Sequence, residues 1–290
     1  MSDRPTVLGV ICALLGSLRV LDLSHNNLGP EGGAVVAEAL KVSGSLTPLH
    51  LAKSKLDDKG ARAISAALAV NDSLTECNIS NNNLDLKSAK LLAEVAAERH
   101  IMLFGIKFDQ EVADLSSREL GPVDAVLIAS DMAISSSLTE CNVRGNNLDV
   151  ESAKLLAKVA TEKCVMLFGI KRNQVTADFS GERLDDVDTI IIASDVTISS
   201  SLTSLNLGYN GIGYVGGKAI AEALRVNGSL TSLNLRANNI GHEGGKAVAE
   251  AMRINGSLTD LNLWSNGIGI NGGVAIADAL LVNGSLTKIE

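Results

Sequence analysis

The chain has 290 residues, 46% hydrophobic and 20% charged, which is enough apolar surface to close a core and excludes a disordered tail. A formal net charge of -8 disfavours nucleic acid and anionic membrane surfaces as partners. Aromatic residues are only 2%, so the core must come from Leu, Ile, Val and Ala, and no apolar stretch approaches the ~20 residues that span a bilayer.

At the N-terminus, Arg4 precedes an apolar run from Val7 to Leu15, the outline of a short signal peptide. Shifted by one repeat, however, Leu8 falls on Val36, Cys12 on Leu40 and Gly16 on Gly44. Residues 1–16 then read as the helical half of an incomplete repeat that caps the first full one. From Ser17 a unit of 28 residues begins, and it recurs at Ser45 and Ser73. A larger duplication follows, since 73–136 and 137–200 are two similar blocks. Each block holds one regular repeat, from 73 or 137, and one long repeat, about 101–136 or 165–200. Regular units resume at Ser201, Ser229 and Ser257, each opening on Ser-Leu-Thr, and Ser285–Glu290 opens a truncated tenth. The expectation is nine repeats over 17–284 in a single domain.

The unit from Ser201 to Gly228 shows the pattern most clearly. Leu205 and Leu207 alternate with Ser204, Asn206 and Gly208, as in a short strand with one buried face. Asn210 sits where the chain must turn, and its amide can satisfy backbone groups there. Ile212, Ala219, Ile220, Ala223 and Leu224 then recur at helical spacing, with Lys218, Glu222 and Arg225 on the opposite side. Asn227-Gly228 ends the helix. One strand and one helix cannot bury their own apolar faces, so the units must stack.

LxxLxLxxN followed by Leu or Ile, Gly and a helix resembles the leucine-rich-repeat signature. The 28-residue unit with a full helix resembles the ribonuclease-inhibitor-like class, which includes ribonuclease inhibitor, the activating protein of the Ran GTPase and the arrays of NOD-like receptors. The resemblance covers essentially the whole chain. It implies an α/β leucine-rich-repeat solenoid, a right-handed horseshoe with a concave parallel sheet and convex helices. It also implies a cytoplasmic, non-enzymatic protein-interaction scaffold. Two alternatives in the same class are a GTPase-activating regulator and an enzyme inhibitor of ribonuclease-inhibitor type. No position carries over as a catalytic support residue, and the chain lacks ribonuclease inhibitor's wealth of cysteines and concave aromatics.

Several positions depart from the pattern. Cys77, Cys141, Ala113 and Ala177 replace the second Leu, and Ser54, Arg118 and Glu182 replace the turn Asn, which predicts looser turns there. In the long repeats two registers compete. One places strands at Ala113–Ser116 and Ala177–Ser180. The other, favoured by composition, makes MLFGI at Met102–Ile106 and Met166–Ile170 the strand and turns Leu103 and Leu167 to the concave face. Cys12, Cys77, Cys141 and Cys164 form no CxxC pair and read as reduced thiols. GIGYVG at Gly211–Gly216 and GIGING at Gly267–Gly272 match a dinucleotide fingerprint, but they arise from repeat positions. Sequons at Asn71, Asn78, Asn227, Asn255 and Asn283 belong mostly to the repeated Asn-Gly-Ser turn. His25 and His50 lack a third ligand for zinc. No catalytic, cofactor or metal residue is expected.

The expected binding surface is the concave face. The only Trp, Trp264, is exposed there by register, beside Arg236, with Tyr209 one residue further on in the preceding row. Together with Asp260 they form the central candidate contact, because Trp, Tyr and Arg dominate interface energetics. Arg144, Glu140 and Glu76 extend the set. The acidic scatter of Asp22, Glu76, Glu140 and Asp260 favours a basic protein partner. The last helix is less polar outside than its predecessors, so the expectation is either a piece of a longer array or a C-terminal end covered by another molecule, self-association being one such cover.

Overall fold

The computed structural model describes residues 18–290, so the cap expected over 1–16, with Cys12, lies outside the described residues. The fold comprises two compact units. The first takes in the chain up to Glu111 together with Leu120–Leu138, and the second Val112–Glu119 together with Thr139–Glu290.

In the first unit, strands β1 (Leu21–Asp22), β2 (Pro48–His50) and β3 (Glu76–Asn78) alternate with helices α1 (Gly29–Val42), α2 (Asp58–Leu68) and α3 (Leu86–Arg99), and α4 (Pro122–Ile134) follows. The strands pair in parallel, with Leu21 beside Leu49 and Leu49 beside Cys77. In the second unit, β4 (Val112–Asp114) pairs with β5 (Glu140–Asn142), and α5 (Val150–Lys163) follows. Then come β6 (Thr176–Asp178), α6 (Asp186–Ile198), β7 (Ser204–Asn206), α7 (Tyr214–Val226), β8 (Ser232–Asn234), α8 (Gly241–Met252), β9 (Asp260–Asn262), α9 (Gly269–Leu280) and β10 (Lys288–Ile289). Strands β6 to β10 form one parallel sheet in sequence order.

The strands are short because one buried side chain at the centre of each is enough to key it to the next. Leu205, Leu233 and Leu261 lie side by side, each essentially buried. Burying such a side chain stabilises by roughly 1.5–3 kcal/mol. Cys77 and Cys141 occupy the same position and are fully buried. Burial pushes the Cys77 thiol up to about 12, so it serves packing rather than chemistry.

Two rows of asparagines replace the hydrogen bonds that the turns cannot make with themselves. At the strand-to-helix turn, the Asn238 amide donates to the Leu207 and Leu235 carbonyls at 2.9 Å each, while its oxygen accepts from Ile212 at 3.1 Å. Asn82, Asn146, Asn210 and Asn266 repeat the same reach into the preceding repeat. Asn71, Asn227 and Asn255 form the second row at the helix-to-strand turn, where Asn255 donates to Leu224 and Asn227 and accepts from Ser257 and Leu258. These three sequon asparagines are therefore buried.

The turns expected to be loose are held by other means. Ser54 is fully buried and donates its hydroxyl to the Leu23 carbonyl at 2.9 Å. The Arg118 guanidinium reaches back to the Asp114 carbonyl, and Glu182 pairs with Arg144. The residue before the turn asparagine is left-handed in each of these repeats, including Lys53, Asn81, Tyr209, Ala237 and Ser265.

The long repeats correct the favoured register. Both segments lie beside a neighbouring strand, but Met102 makes only a single bridge to Glu76, and Met166 one to Glu140. The continuous strands are β4 and β6, as the other register has it. Leu103 and Leu167 do not face out; both are fully buried. The reason is at the backbone. Met102 donates back to Thr75, so the Leu103 amide points the other way, where no strand follows. There the Asp131 carboxylate accepts from Leu103 at 2.5 Å and Phe104 at 2.9 Å. Asp195 does the same for Leu167 and Phe168 at 2.6 and 2.9 Å. Each aspartate closes the edge of a ladder from inside an otherwise apolar helix. Burial outweighs the amide hydrogen bonds and pushes both carboxyls up to about 7.

Candidate partner-binding face

In the second unit the leucines of β7, β8 and β9 are buried, and the residues between them form the open face of the sheet. Tyr209 and Trp264 are 57% and 54% exposed there, more than half in both cases, in a chain where aromatics are scarce. Between them lies Arg236. Its guanidinium carbon is 4.4 Å from the Trp264 ring centroid and 5.4 Å from that of Tyr209. Such cation–π contacts contribute about 0.5–1 kcal/mol each at exposed sites. The Asn234 side chain accepts the Arg236 amide at 2.9 Å and Asn262 that of Trp264 at 3.0 Å, which fixes the backbone under the stack.

Tyr209 takes part at a conformational cost. Its φ of 57° is left-handed, a region a bulky residue rarely adopts outside glycine-rich turns. The sequence places it one residue beyond the strand row, and the left-handed turn brings its ring back over Arg236.

The other expected contact residues are brought together less. Asp260 opens β9, whose following turn carries Trp264, but it faces Lys288 at 3.5 Å, and Lys288 also holds Glu290 at 2.9 Å. The Asn262 amide donates to Glu290 at 2.6 Å. Hydrogen bonding to Lys288 holds the Glu290 carboxyl below its usual value, with a smaller contribution from Arg236. Arg144 belongs to a separate cluster. Its guanidinium lies 5.2 Å from the Phe168 ring and 5.6 Å from the Phe179 ring, and it pairs with Glu182. The two rings meet edge to face at 5.2 Å. Glu140 pairs with Lys171. Glu76 lies in the first unit, 3.4 Å from His50 Nδ1. Asp22 caps Ser24, whose amide holds the Asp22 carboxyl below its usual range.

The acidic scatter is thus engaged within the chain, in ion pairs or a turn, which removes its argument for a basic partner. Sequence reasoning missed Lys288, Glu182, Phe179 and the two ladder-closing aspartates. A signal for the aspartates was present: an Asp inside PVDAVLIASDMAI needs a buried partner.

The glycine fingerprint at Gly211–Gly216 is filled from within. The Asp186 carboxylate accepts from the Gly213 amide at 2.7 Å and the Gly216 amide at 2.8 Å, where a phosphate would sit. A Cβ on Gly216 would come within 2.8 Å of that oxygen. Among the described residues no group of three or more His, Cys, Asp or Glu side chains could hold a metal, and no helix is long and apolar enough to cross a membrane. Two hollows of about 540 and 470 Å³ lie between helices, the first around Arg62, Leu86 and Leu91, the second around Lys158, Ala193 and Ala223.

The family described as Leucine Rich repeat matches residues 17–37, 199–221, 226–249 and 255–277. Among solved structures the chain is similar to leiomodin-1 actin-binding site 2, at 19% identity over 49% of this chain and 78% of that one, with a TM-score of 0.40. The tropomodulin C-terminal domain of Caenorhabditis elegans is similar at 14% identity over 49% and 81%, with a TM-score of 0.39. An internalin of Listeria monocytogenes is similar at 17% identity over 97% and 70%, with a TM-score of 0.32. No curated protein matches the sequence. Four segments of the chain thus match leucine-rich repeats, and the parallel strand-and-helix units with their asparagine rows make it an α/β repeat array.

Proposed function

We propose that the chain is a non-enzymatic recognition array that binds a protein partner on the open strand face around Tyr209, Arg236 and Trp264. The observation that carries this reading is the exposed Tyr–Arg–Trp stack in the turns that follow β7, β8 and β9. These three residue types are also those that most often cost 2 kcal/mol or more on truncation at interfaces. A cytoplasmic setting fits the buried thiols of Cys77 and Cys141 and the structural use of the sequon asparagines. The net charge of -8 favours protein over nucleic acid or anionic membrane as the partner.

The test is affinity capture from lysate of the source cell, comparing wild type with Arg236→Ala/Trp264→Ala. A protein retained by wild type and lost by the folded variant supports the reading. Equal capture by both removes the stack as the contact. GTP-hydrolysis and ribonuclease assays with wild-type protein measure the two alternative roles directly.

A further inference from the structure

The charges of the open face differ in one respect. Asp260 and Glu290 share Lys288, Glu140 holds Lys171, and Glu76 lies against His50. Arg144 is paired with Glu182. Arg236 is the exception, because among the described residues its guanidinium makes no hydrogen bond or ion pair. Its Nε is buried without a partner. A charged donor left in this state is costly, typically about 1–3 kcal/mol or more. The planar group nonetheless lies against two rings, Trp264 and Tyr209, at 4.4 and 5.4 Å from their centroids. What remains open to an incoming ligand is the edge, the terminal nitrogens of the fork.

A guanidinium held against two rings, with a buried unpartnered Nε and no ion pair, has the geometry for two parallel hydrogen bonds to a carboxylate. The rings have already restricted the side-chain rotation that a free arginine loses on binding. We propose that Arg236 is a carboxylate receptor, and that the partner presents an acidic side chain there, in an acidic peptide segment. The proposal deepens the recognition reading above and rests on it. Lys288 offsets one of the two nearby carboxylates, Asp260 and Glu290, so the ligand meets one uncompensated negative charge besides the positive charge of Arg236.

Trp264 is the chain's single tryptophan, so its emission reports on this site alone. The experiment titrates octaglutamate, octaglutamine and octalysine against the full chain at about 150 mM salt, where long-range repulsion from the net charge is screened. The readouts are Trp264 emission and the anisotropy of labelled peptide. Octaglutamate is expected to perturb Trp264 saturably and octaglutamine not to. Arg236→Gln is expected to weaken octaglutamate at least about tenfold, and Arg236→Lys to restore only part, because an ammonium lacks the fork. Far-UV circular dichroism confirms that both variants are folded. Three results overturn the proposal: equal responses to octaglutamate and octaglutamine, an octaglutamate response that survives Arg236→Gln, or no octaglutamate response. If octaglutamine or octalysine alone perturbs Trp264, the carboxylate receptor fails while the face remains a binding surface. If no peptide does, and capture is also indifferent to the double variant, both readings fail.

Discussion

The carboxylate of Asp195 stands in for a missing strand beside Leu167, accepting its amide at 2.6 Å where the ladder stops. Asp195→Asn puts an amide group where two backbone donors converge and should destabilise by about 1–3 kcal/mol. The pH dependence has a definite sign. The unfolded carboxyl ionises near 3.8 and the folded one near 7, so between these values the native state holds a proton the unfolded state has released. Stability from this group is fullest below about 4, falls as pH rises to 7 and is level beyond. Urea melts should therefore show a larger loss for Asp195→Asn at pH 5 than at pH 8. A loss that grows with pH would make the ionised form the stabilising one and refute this account.

The left-handed turn positions offer a contrast. Ala237, with φ of 53°, places no ring over Arg236. Ala237→Gly should stabilise by about 1 kcal/mol. Tyr209→Gly relieves the same strain but loses a ring from Arg236, so its melting temperature should rise less and its partner affinity should drop. Equal gains from both changes would mean that the Tyr209 ring contributes nothing to the stack.

Asn255 serves two carbonyls and two amides at once. Its replacement by Ala should cost about 2–4 kcal/mol, since several buried groups lose partners together. Thr259, in the same turn region but exposed on its side-chain hydrogen bond to Thr231, should tolerate Ala with a far smaller loss. Chemical denaturation of the two variants side by side measures the difference.

Ile270 in α9 and Leu281, which caps its C-terminus, are 85% and 84% exposed, an unusual degree for large aliphatic side chains. Self-association through this end predicts that Ile270→Lys/Leu281→Lys lowers the weight-average mass of concentrated protein in sedimentation, with unchanged circular dichroism. A mass insensitive to both changes would move any self-association elsewhere.

Much of the fold was legible because the repeat imposes one answer many times. The spacing of 28 placed Leu205, Leu233 and Leu261 side by side, and the structure pairs them so. The register at Trp264 and Arg236 was legible for the same reason. The long repeats were not, because composition favours MLFGI as a strand whereas hydrogen bonding to Asp131 and Asp195, 28 residues downstream of Leu103 and Leu167, decides where the ladder ends. Charge pairing was equally hidden. Lys171 meets Glu140 across 31 residues, which no local pattern announces. The contribution of Tyr209 depended on a positive φ that its residue type argues against.

The ladder-closing aspartates give the duplicated blocks a grammar. Each block of 73–136 and 137–200 opens with a strand that accepts what precedes it, finishes one sheet with its own carboxylate, and starts the next with Ala113 or Ala177. It carries both a stop and a start, so copying or deleting a whole block requires no new junction. Such a block is a unit of inheritance as much as of structure, and arrays of this kind can change length in steps of 64 residues, the block period, while every surviving turn keeps its register.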